Sequence, residues 1–236
     1  MKSIAFSHIG KRSTNQDVIS VQQLDHDTYL YLVVDGMGGY EKGEIAAKLV
    51  AESVFTFLSH TSEKGEMEIQ QAINKANLVI KQFKQTEEIK SGATIGGVLM
   101  NAERAKAFWV GDVKIFHFRN DVLLQESNPH NLMNEVISNG AIENPDQVSR
   151  YKHVVTRSIQ GDVKSSQVEF FEVNPIKESD LLVICSDGVH DIIDGLGLQH
   201  VMNKSNSLEI AIGEIESRLK KEAKDNYSLV TAQIGI

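Results

Sequence analysis

Three aspartates stand at the borders of apolar runs, each next to a glycine or an asparagine. Asp35 follows "YLYLVV", Asp187 follows "LLVICS", and Asp225 stands with Asn226 before "YSLVTAQIGI". An unpaired carboxylate is costly to bury, so hydrophobic strands that lead onto carboxylates indicate that these groups converge on positive charge. We therefore predict that the three aspartates bind a pair of metal ions.

The glycines after Asp35, in "DGMGG", would let main-chain carbonyls approach a cation, because no Cβ atom is in the way. Taken alone, this motif also fits a tight turn with an exposed aspartate, or a glycine-rich phosphate loop that lacks the full dinucleotide-binding spacing. Asp187 and Asp225 favour the metal site, since Mg2+ and Mn2+ prefer oxygen ligands. Two such ions, about 3.5 to 4 Å apart and bridged by a carboxylate, generate a hydroxide in line with a phosphoryl group.

The segment "RSTNQD" at 12–17 supplies two further groups that a metal pair lacks. The planar guanidinium of Arg12 can grip phosphate oxygens bidentately, and Asp17 can orient a metal-bound water. The alternative for Arg12 is a solvated arginine in a loop.

Composition limits the class of protein. The chain has 236 residues, 32 acidic against 24 basic, and a net charge of -8. This length can form one large domain with a sizeable core, and no linker or repeat marks a boundary. A negative chain lacks the phosphate-neutralising surface that nucleic-acid binding needs. We expect residues 1–236 to form a single domain that binds no nucleic acid.

Cysteine content and hydropathy bear on location. Cys185 is the only cysteine, so no intrachain disulfide can form and a reducing compartment is expected. The first residues contain no apolar core of signal-peptide length, and no stretch approaches the roughly 18 apolar residues of a membrane span. The sequence predicts a cytoplasmic protein without a membrane segment, and we expect it to be a monomer.

Strand-like runs separated by short polar turns dominate the elements that must position these residues, as in antiparallel hairpins. The predicted strands are 3–9, 18–24, 29–34, 93–100, 106–110, 113–118, 122–125, 168–173, 181–185 and 229–236. Apolar residues recur every three or four positions over 45–58, 69–83 and 207–221, which predicts amphipathic helices. Strands interrupted by a helix pair favour an α+β sandwich over a parallel βαβ sheet.

The order of the motifs is specific. It runs R-x-x-N-Q-D, D-G-M-G-G, G-A-T (92–94), W-V-G-D (109–112), V-T-R-S-I-Q-G (155–161), S-D-G and D-N. Over essentially its whole length the chain resembles the type-2C metal-dependent serine/threonine protein phosphatases, the PPM family, in their compact bacterial form. The resemblance implies two packed antiparallel β-sheets flanked by paired helices, a metal cleft at one edge, and a flap at about 128–166 beside the cleft.

The resemblance also implies roles for the metal-binding residues, with Mn2+ or Mg2+ as the ions. Asp35 would bridge two ions, the carbonyl of Gly36 would bind one of them, and Asp187 and Asp225 would hold the other. Asp112 matches the carboxylate that joins Asp187 around a third, weaker ion in similar bacterial enzymes. Arginine 12 in this sequence matches the family's phosphate-gripping arginine.

Two positions depart from the family pattern where a proton donor would be sought. Met37 stands where animal relatives carry a histidine, and Tyr40 stands where bacterial relatives commonly carry one. Neither side chain can act as a histidine acid near neutral pH, so the leaving-group proton is expected from metal-bound water or from another residue. The "NPHN" at 128–131 and "GDVK" at 111–114 also depart from the pattern, and they bear on flap contacts and substrate preference.

Four other reactive side chains are predicted to have no part in catalysis. Cys185 lies inside an apolar run, which favours a buried structural thiol over a nucleophile. His190 is expected to pack or to form a hydrogen bond rather than to act as an acid. His130 and His153 fall in the predicted flap and are expected to be solvated.

Hydrolysis of phosphoserine and phosphothreonine on proteins, by direct attack of a metal-bridging hydroxide, is the function that the resemblance implies. The expected partners are phosphorylated substrates of a serine/threonine kinase. An alternative is a pseudophosphatase that recognises a phosphoprotein without turnover, although the intact set of Arg12, Asp35, Asp187 and Asp225 favours the enzyme. A hydrolase of small phosphate esters is a third hypothesis.

Overall fold

The computed structural model describes residues 1–37, 42–88, 90–140, 149–163 and 166–234. The strands are β1 (Ala5–His8), β2 (Asp17–Gln23), β3 (Tyr29–Met37), β4 (Gly92–Met100), β5 (Ala105–Val110), β6 (Lys114–Arg119), β7 (Val122–Glu126), β8 (Glu169–Val173), β9 (Asp180–Cys185) and β10 (Tyr227–Gln233). The helices are α1 (Gly43–Ser59), α2 (Glu66–Glu87), α3 (Leu132–Ser138), α4 (Asp187–His190), α5 (Gly195–Lys204) and α6 (Leu208–Glu222), with a short 3-10 turn at Ser149–Tyr151.

The strands form two five-stranded antiparallel sheets. The first sheet has the order β2-β3-β4-β5-β8, and the second has the order β1-β10-β9-β6-β7. Every strand that the sequence predicts is present. The α+β prediction is confirmed.

Three apolar layers hold the helices and sheets together. Successive residues of a strand face opposite sides of the sheet, so Leu32 of β3 packs against α1 and α2 while Val33 packs between the two sheets. Phe116 of β6 faces the third layer, where α5 and α6 cover the second sheet. The order of layers is therefore helix pair, sheet, sheet, helix pair.

The predicted helices follow their apolar periodicity with one exception. Ile69, Ile73 and Ile80 of α2 are fully buried, as their spacing predicts. In α1 the buried residues include Gly43, Ala46 and Ala47, whereas Ile45 is exposed. The sequence pattern placed Ile45 on the wrong face because the small alanines, not the larger isoleucine, fit against the first sheet.

Three helices, α3, α4 and α5, were not predicted. Helix α5 contains two glycines at its start, which weaken the helical pattern, but Asp194 caps it by accepting a hydrogen bond from the Gly197 N–H at 2.8 Å. Strand β3 also continues beyond its predicted end at Val34 to Met37, because β2 and β4 pair with it on both sides.

The predicted flap, about 128–166, contains α3 and the 3-10 turn, while residues 141–148 and 164–165 lie outside the described ranges. The last two residues of the predicted final strand also lie outside them. Within the described part of the chain, no helix has both the length and the apolar character that a bilayer crossing requires.

Candidate metal centre

The first sheet brings Asp17 and Asp35 side by side. Asp17 opens β2 and lies opposite Asp35 of β3, which in turn lies opposite Thr94 of β4. Asp35 therefore lies inside a paired strand, one residue beyond the end at residue 34 that the sequence predicted. Gly36 follows it, and a Cβ atom there would come within 2.2 Å of the Gly43 carbonyl oxygen. Only glycine lets the start of α1 approach this end of the sheet so closely.

The turn after β5 adds Asp112 to the same end of the first sheet. Gly111, just before it, has a φ of 105°, a conformation that favours glycine. Asp112 is buried.

The second sheet contributes Asp187 and Asp225. Asp187 begins α4, two residues after the end of β9, and Asp225 lies two residues before the start of β10. Strands β9 and β10 are neighbours, and the Ser186 N–H donates to the Ser228 carbonyl at 3.1 Å. This pairing holds the two aspartates on one edge of the second sheet.

The two groups of aspartates meet at a cavity of about 510 Å³. The predicted site residues that line it are Arg12, Asp35, Gly36, Asp112, Asp187 and Asp225. Asp17 is buried next to this cavity and interacts electrostatically with Asp35. The structure thus brings together all the residues that the sequence singled out for metal and phosphate binding.

The carboxyl groups disfavour one another's ionisation. Burial, followed by repulsion from Asp17 and Asp187, raises the pKa of Asp35 well above its ordinary value. Burial, followed by repulsion from Asp112 and Asp225, raises the pKa of Asp187 to about 8. Among the described residues that line the cavity, Arg12 is the only arginine or lysine. The cluster therefore has far less positive charge than its carboxylates require.

One carboxylate oxygen of Asp17 also lacks a hydrogen-bond partner among the described residues. Its Oδ2 accepts a hydrogen bond from the Ser186 hydroxyl at 2.8 Å, whereas its Oδ1 is buried without a partner among the described residues. Burial raises the pKa of Asp17 to about 6. A set of carboxylates without thiolate or clustered imidazole suits hard divalent cations such as Mg2+ and Mn2+, so these residues fit the predicted ions.

Arg12 lies at the edge of the carboxylate cluster. Its Nη2 donates to Asp225 Oδ2 at 2.6 Å, and its side chain is 61% exposed. Its Nε and Nη1 groups have no hydrogen-bond partner among the described residues, so they are available to an anion in the cavity.

The histidines near the cavity have different environments. His190 Nε2 lies 2.9 Å from the Asp112 carbonyl oxygen, and burial lowers the pKa of this imidazole to about 4. The prediction that it forms a hydrogen bond is confirmed. His153 is exposed, as predicted, but it also lines the cavity, and its Nδ1 lies 3.3 Å from Asp191 Oδ2.

The prediction for His130 is wrong, because this side chain is buried. Its Nδ1 accepts a hydrogen bond from the Gly111 N–H at 3.0 Å, and its Nε2 lies 3.2 Å from Glu169 Oε1. These partners come from the turn after β5 and from β8, which the local sequence around His130 could not indicate. Cys185 is buried as predicted, and burial raises the pKa of its thiol.

The sequence reasoning missed several residues of the site. Ser186 and Asn226 belong to the S-D-G and D-N motifs but received no role, and His153 and Val155 line the cavity from the predicted flap. The position of Ser186 and Asn226 next to two predicted metal ligands was the available signal. No sequence signal placed Val155.

Comparisons with known proteins identify the family. The sequence model of the family described as protein phosphatase 2C matches residues 6–226. The serine/threonine phosphatase stp of Listeria innocua is 25% identical over 205 residues, which cover 84% of this chain and 81% of that protein.

Two solved structures share the fold. A bacterial serine phosphatase bearing a point mutation has a TM-score of 0.88 at 21% identity, covering 100% of this chain and 98% of that one. The catalytic domain of the serine/threonine protein phosphatase PstP, in complex with two manganese ions, has a TM-score of 0.80 at 22% identity, covering 98% and 97%. Since the family model covers nearly the entire sequence, this chain belongs to the protein phosphatase 2C family.

Proposed function

We propose that this serine/threonine protein phosphatase works with a pair of Mn2+ or Mg2+ ions held by Asp35, the Gly36 carbonyl, Asp187 and Asp225. The observation that carries the proposal is the convergence of carboxylates from both sheets on one cavity that also contains Arg12. Removal of phosphate from phosphoserine and phosphothreonine in proteins follows from membership of the family. The manganese ions of PstP, which has the same fold, support the choice of metal.

When bound, the cations would lower the pKa of a water molecule and offset the negative charge of the phosphoryl group. Asp17 would hold and orient that water, since its Oδ1 has no partner in the described part of the chain. The Ser186 hydroxyl keeps the Asp17 carboxyl in place through Oδ2. Attack on phosphorus would be direct, and Cys185, the only thiol, is buried and takes no part.

Arg12 would bind two phosphate oxygens through its free N–H groups. A guanidinium presents these donors in a planar fork that matches phosphate. Because Nη2 is engaged by Asp225, the fork is held beside the carboxylates that bind the ions. Substrate phosphate would therefore be gripped at the edge of the metal centre.

The leaving oxygen of serine or threonine needs a proton, and we assign its supply to water in the cavity. His190 is committed to the Asp112 carbonyl and has a lowered pKa. Met37 cannot donate a proton, and Tyr40 lies outside the described residues.

A third ion would share Asp187 with Asp112. One observation favours additional cation binding at this side of the cavity: the ligand atoms of His153, Asp187 and Asp191 lie within 4.8 Å of one another. Occupancy of this position would be weaker than that of the pair, because His153 and Asp191 also pair with each other.

Residues 128–166 would act as a flap beside the cleft within a single phosphatase domain spanning 1–236. His153 and Val155 line the cavity, and the Leu132 N–H donates to the Val154 carbonyl at 2.8 Å, which supports this placement. We further propose that the substrates are products of a serine/threonine kinase and that the chain acts as a cytoplasmic monomer without a nucleic-acid or membrane partner.

The test is turnover of a phosphothreonine peptide by chelator-treated protein with and without added Mn2+. The proposal expects turnover only with the metal, and much less turnover of free phosphothreonine than of the peptide. Binding of the peptide without turnover at any metal concentration would instead identify a pseudophosphatase. Equal turnover of the peptide and the free phosphoamino acid would identify a hydrolase of small phosphate esters.

A further inference from the structure

One side chain fastens the loop that carries Arg12. The loop comprises residues 9–16, and Asn226 makes three hydrogen bonds to its backbone. Asn226 Nδ2 donates to the carbonyls of Ile9 at 2.8 Å and Thr14 at 3.0 Å, and Asn226 Oδ1 accepts from the Gln16 N–H at 2.9 Å. Asn226 is only 6% exposed. The contacts span both ends of the loop, with Arg12 between them.

The loop also lies directly on the backbone around Asp225. The Lys11 N–H donates to the Lys224 carbonyl at 3.3 Å. Gly10 has a φ of 61°, and a Cβ atom there would come within 2.0 Å of the Asp225 carbonyl oxygen. Such close packing requires the loop to be held in one position, which the Asn226 side chain does.

Asparagine suits this position because its amide offers two N–H donors and a carbonyl acceptor. The loop presents two carbonyls and one N–H to the side chain, so every group finds a complementary partner. An aspartate would place an acceptor against the two carbonyls, and a serine could not reach all three groups. The residue type is therefore explained by the loop rather than by metal binding.

We propose that Asn226 is a positioning residue that sets the affinity for substrate phosphate by holding the Arg12 loop. This inference rests on the proposed function, in which Arg12 grips the phosphate. Asn226 acts through Arg12 and not through the ions, since among the described residues every hydrogen bond of its side chain goes to the loop. Its contact with Asp225 is a backbone one, from the Asn226 N–H to Asp225 Oδ1 at 2.8 Å, and truncation of the side chain leaves that group in place.

A double-mutant cycle on a phosphothreonine peptide at saturating Mn2+ tests the proposal. Asn226→Ala should raise KM by about 3- to 10-fold, on the scale of a misplaced charge-assisted contact, with little change in kcat. In an Arg12→Ala background the same substitution should change KM by less than about twofold, because the group it positions is gone. An equal factor in both backgrounds would overturn the proposal.

Trypsin supplies a readout that does not depend on activity, because the loop contains Lys11 and Arg12 as cleavage sites. Asn226→Ala should increase the rate of cleavage after these residues severalfold under native conditions. The matched control is Asn101→Ala, which removes an amide that accepts from the Glu103 and Arg104 N–H groups in the β4–β5 turn. Cleavage in the Asn226 variant that is no faster than in the Asn101 variant would overturn the proposal.

The two readouts separate the possible failures. If the wild-type enzyme hydrolyses no phosphopeptide, the proposed function fails, and trypsin alone decides whether Asn226 holds the loop. If cleavage rises but KM stays constant, Asn226 orders the loop without setting affinity, and the proposal is wrong. Should Asn226→Ala not fold, Asn226→Ser, which retains a polar side chain, takes its place with the same expected outcomes.

Discussion

The buried carboxyl group of Asp180 and the carboxyl groups of the cavity have opposite surroundings. Asp180, at the start of β9, is fully buried, and both of its carboxylate oxygens have hydrogen-bond donors nearby. Arg119 donates to it through Nε at 2.6 Å and Nη2 at 2.8 Å, the Lys177 N–H donates at 2.7 Å, and His117 Nε2 lies 2.9 Å away. Although burial would raise the pKa of Asp180, the bonds from Arg119 and His117 hold it below its ordinary value.

The aspartates of the cavity face one another instead. Asp35 and Asp187 have raised pKa values because of burial and neighbouring carboxylates, and Arg12 is the only nearby arginine or lysine among the described lining residues. The neighbours of a buried carboxylate therefore distinguish a structural group from one that binds a ligand. Where the protein itself supplies the donors, the group stabilises the fold, and where it supplies more carboxylates, an external cation is required.

The largest expected effect is on stability, at Asp180. Replacement by Ala leaves the Arg119 guanidinium and the His117 ring without their shared partner, so the free energy of unfolding should fall by roughly 3 kcal/mol, as for a broken buried ion pair. Activity of the folded fraction should stay close to that of the wild type. Chemical denaturation measures the first quantity, and a loss below about 1 kcal/mol would show that the contacts around Asp180 contribute little.

Asp187→Asn should have the converse effect. It removes a proposed metal ligand from a group of mutually repelling carboxylates, so turnover should fall by at least about two orders of magnitude, on the scale of one lost electrostatic contact in the transition state. Stability in the presence of chelator should be unchanged or higher. Near-normal turnover at saturating Mn2+ would remove Asp187 from the site.

Arg12→Ala should weaken phosphopeptide binding by about 1.5 to 3 kcal/mol, the range for a charge-assisted hydrogen bond. Arg12→Lys should recover only part of this loss, because an ammonium cannot present the bidentate fork. Metal affinity should change by no more than a few-fold in either variant. The measurements are kcat and KM at saturating Mn2+ together with a calorimetric metal titration, and a variant that loses metal binding would reassign Arg12.

The contributions of Asp180 and Asp187 to stability should also depend on pH with opposite signs. The folded pKa of Asp180 is lowered, so its stabilising effect is present above its ordinary pKa and is lost as pH falls through the folded value. The pKa of Asp187 is raised to about 8, so without metal the folded state binds the extra proton and loses stability as pH rises from about 4 to about 8. Denaturation in chelator should show this decline for the wild type and a weaker one for Asp187→Asn. An equal decline in both proteins would contradict the assignment.

The strands could be predicted from the sequence because their signal is local. Leu32 and Val33 belong to one unbroken apolar run, and a strand buried on both faces requires such a run. The continuation of β3 through Asp35 could not be predicted, since pairing with Asp17 and Thr94 decides it. Helix α5 was not predicted because the glycines at its start weaken the helical pattern. Asp194 caps this helix as a hydrogen-bond acceptor.

Part of the site could also be predicted, because its motifs are local in the sequence. Arg12 and Asp225 stand in short sequence motifs, so their convergence at one site could be predicted. The burial of His130 and the three bonds of Asn226 depend on residues far away in the sequence, such as Glu169 and Gln16. Chemical roles that arise from tertiary contacts of this kind leave no local pattern to read.

The proposed function depends on the cavity aspartates forming a binding site for divalent cations that the reaction requires. The most direct measurement is a calorimetric Mn2+ titration of chelator-treated protein, followed by turnover of a phosphothreonine peptide at each point. We predict saturable binding of a pair of ions, with turnover that rises as they bind, and fewer ions bound by Asp187→Asn. Full turnover by metal-free protein, or wild-type binding in the Asp187 variant, would contradict the account.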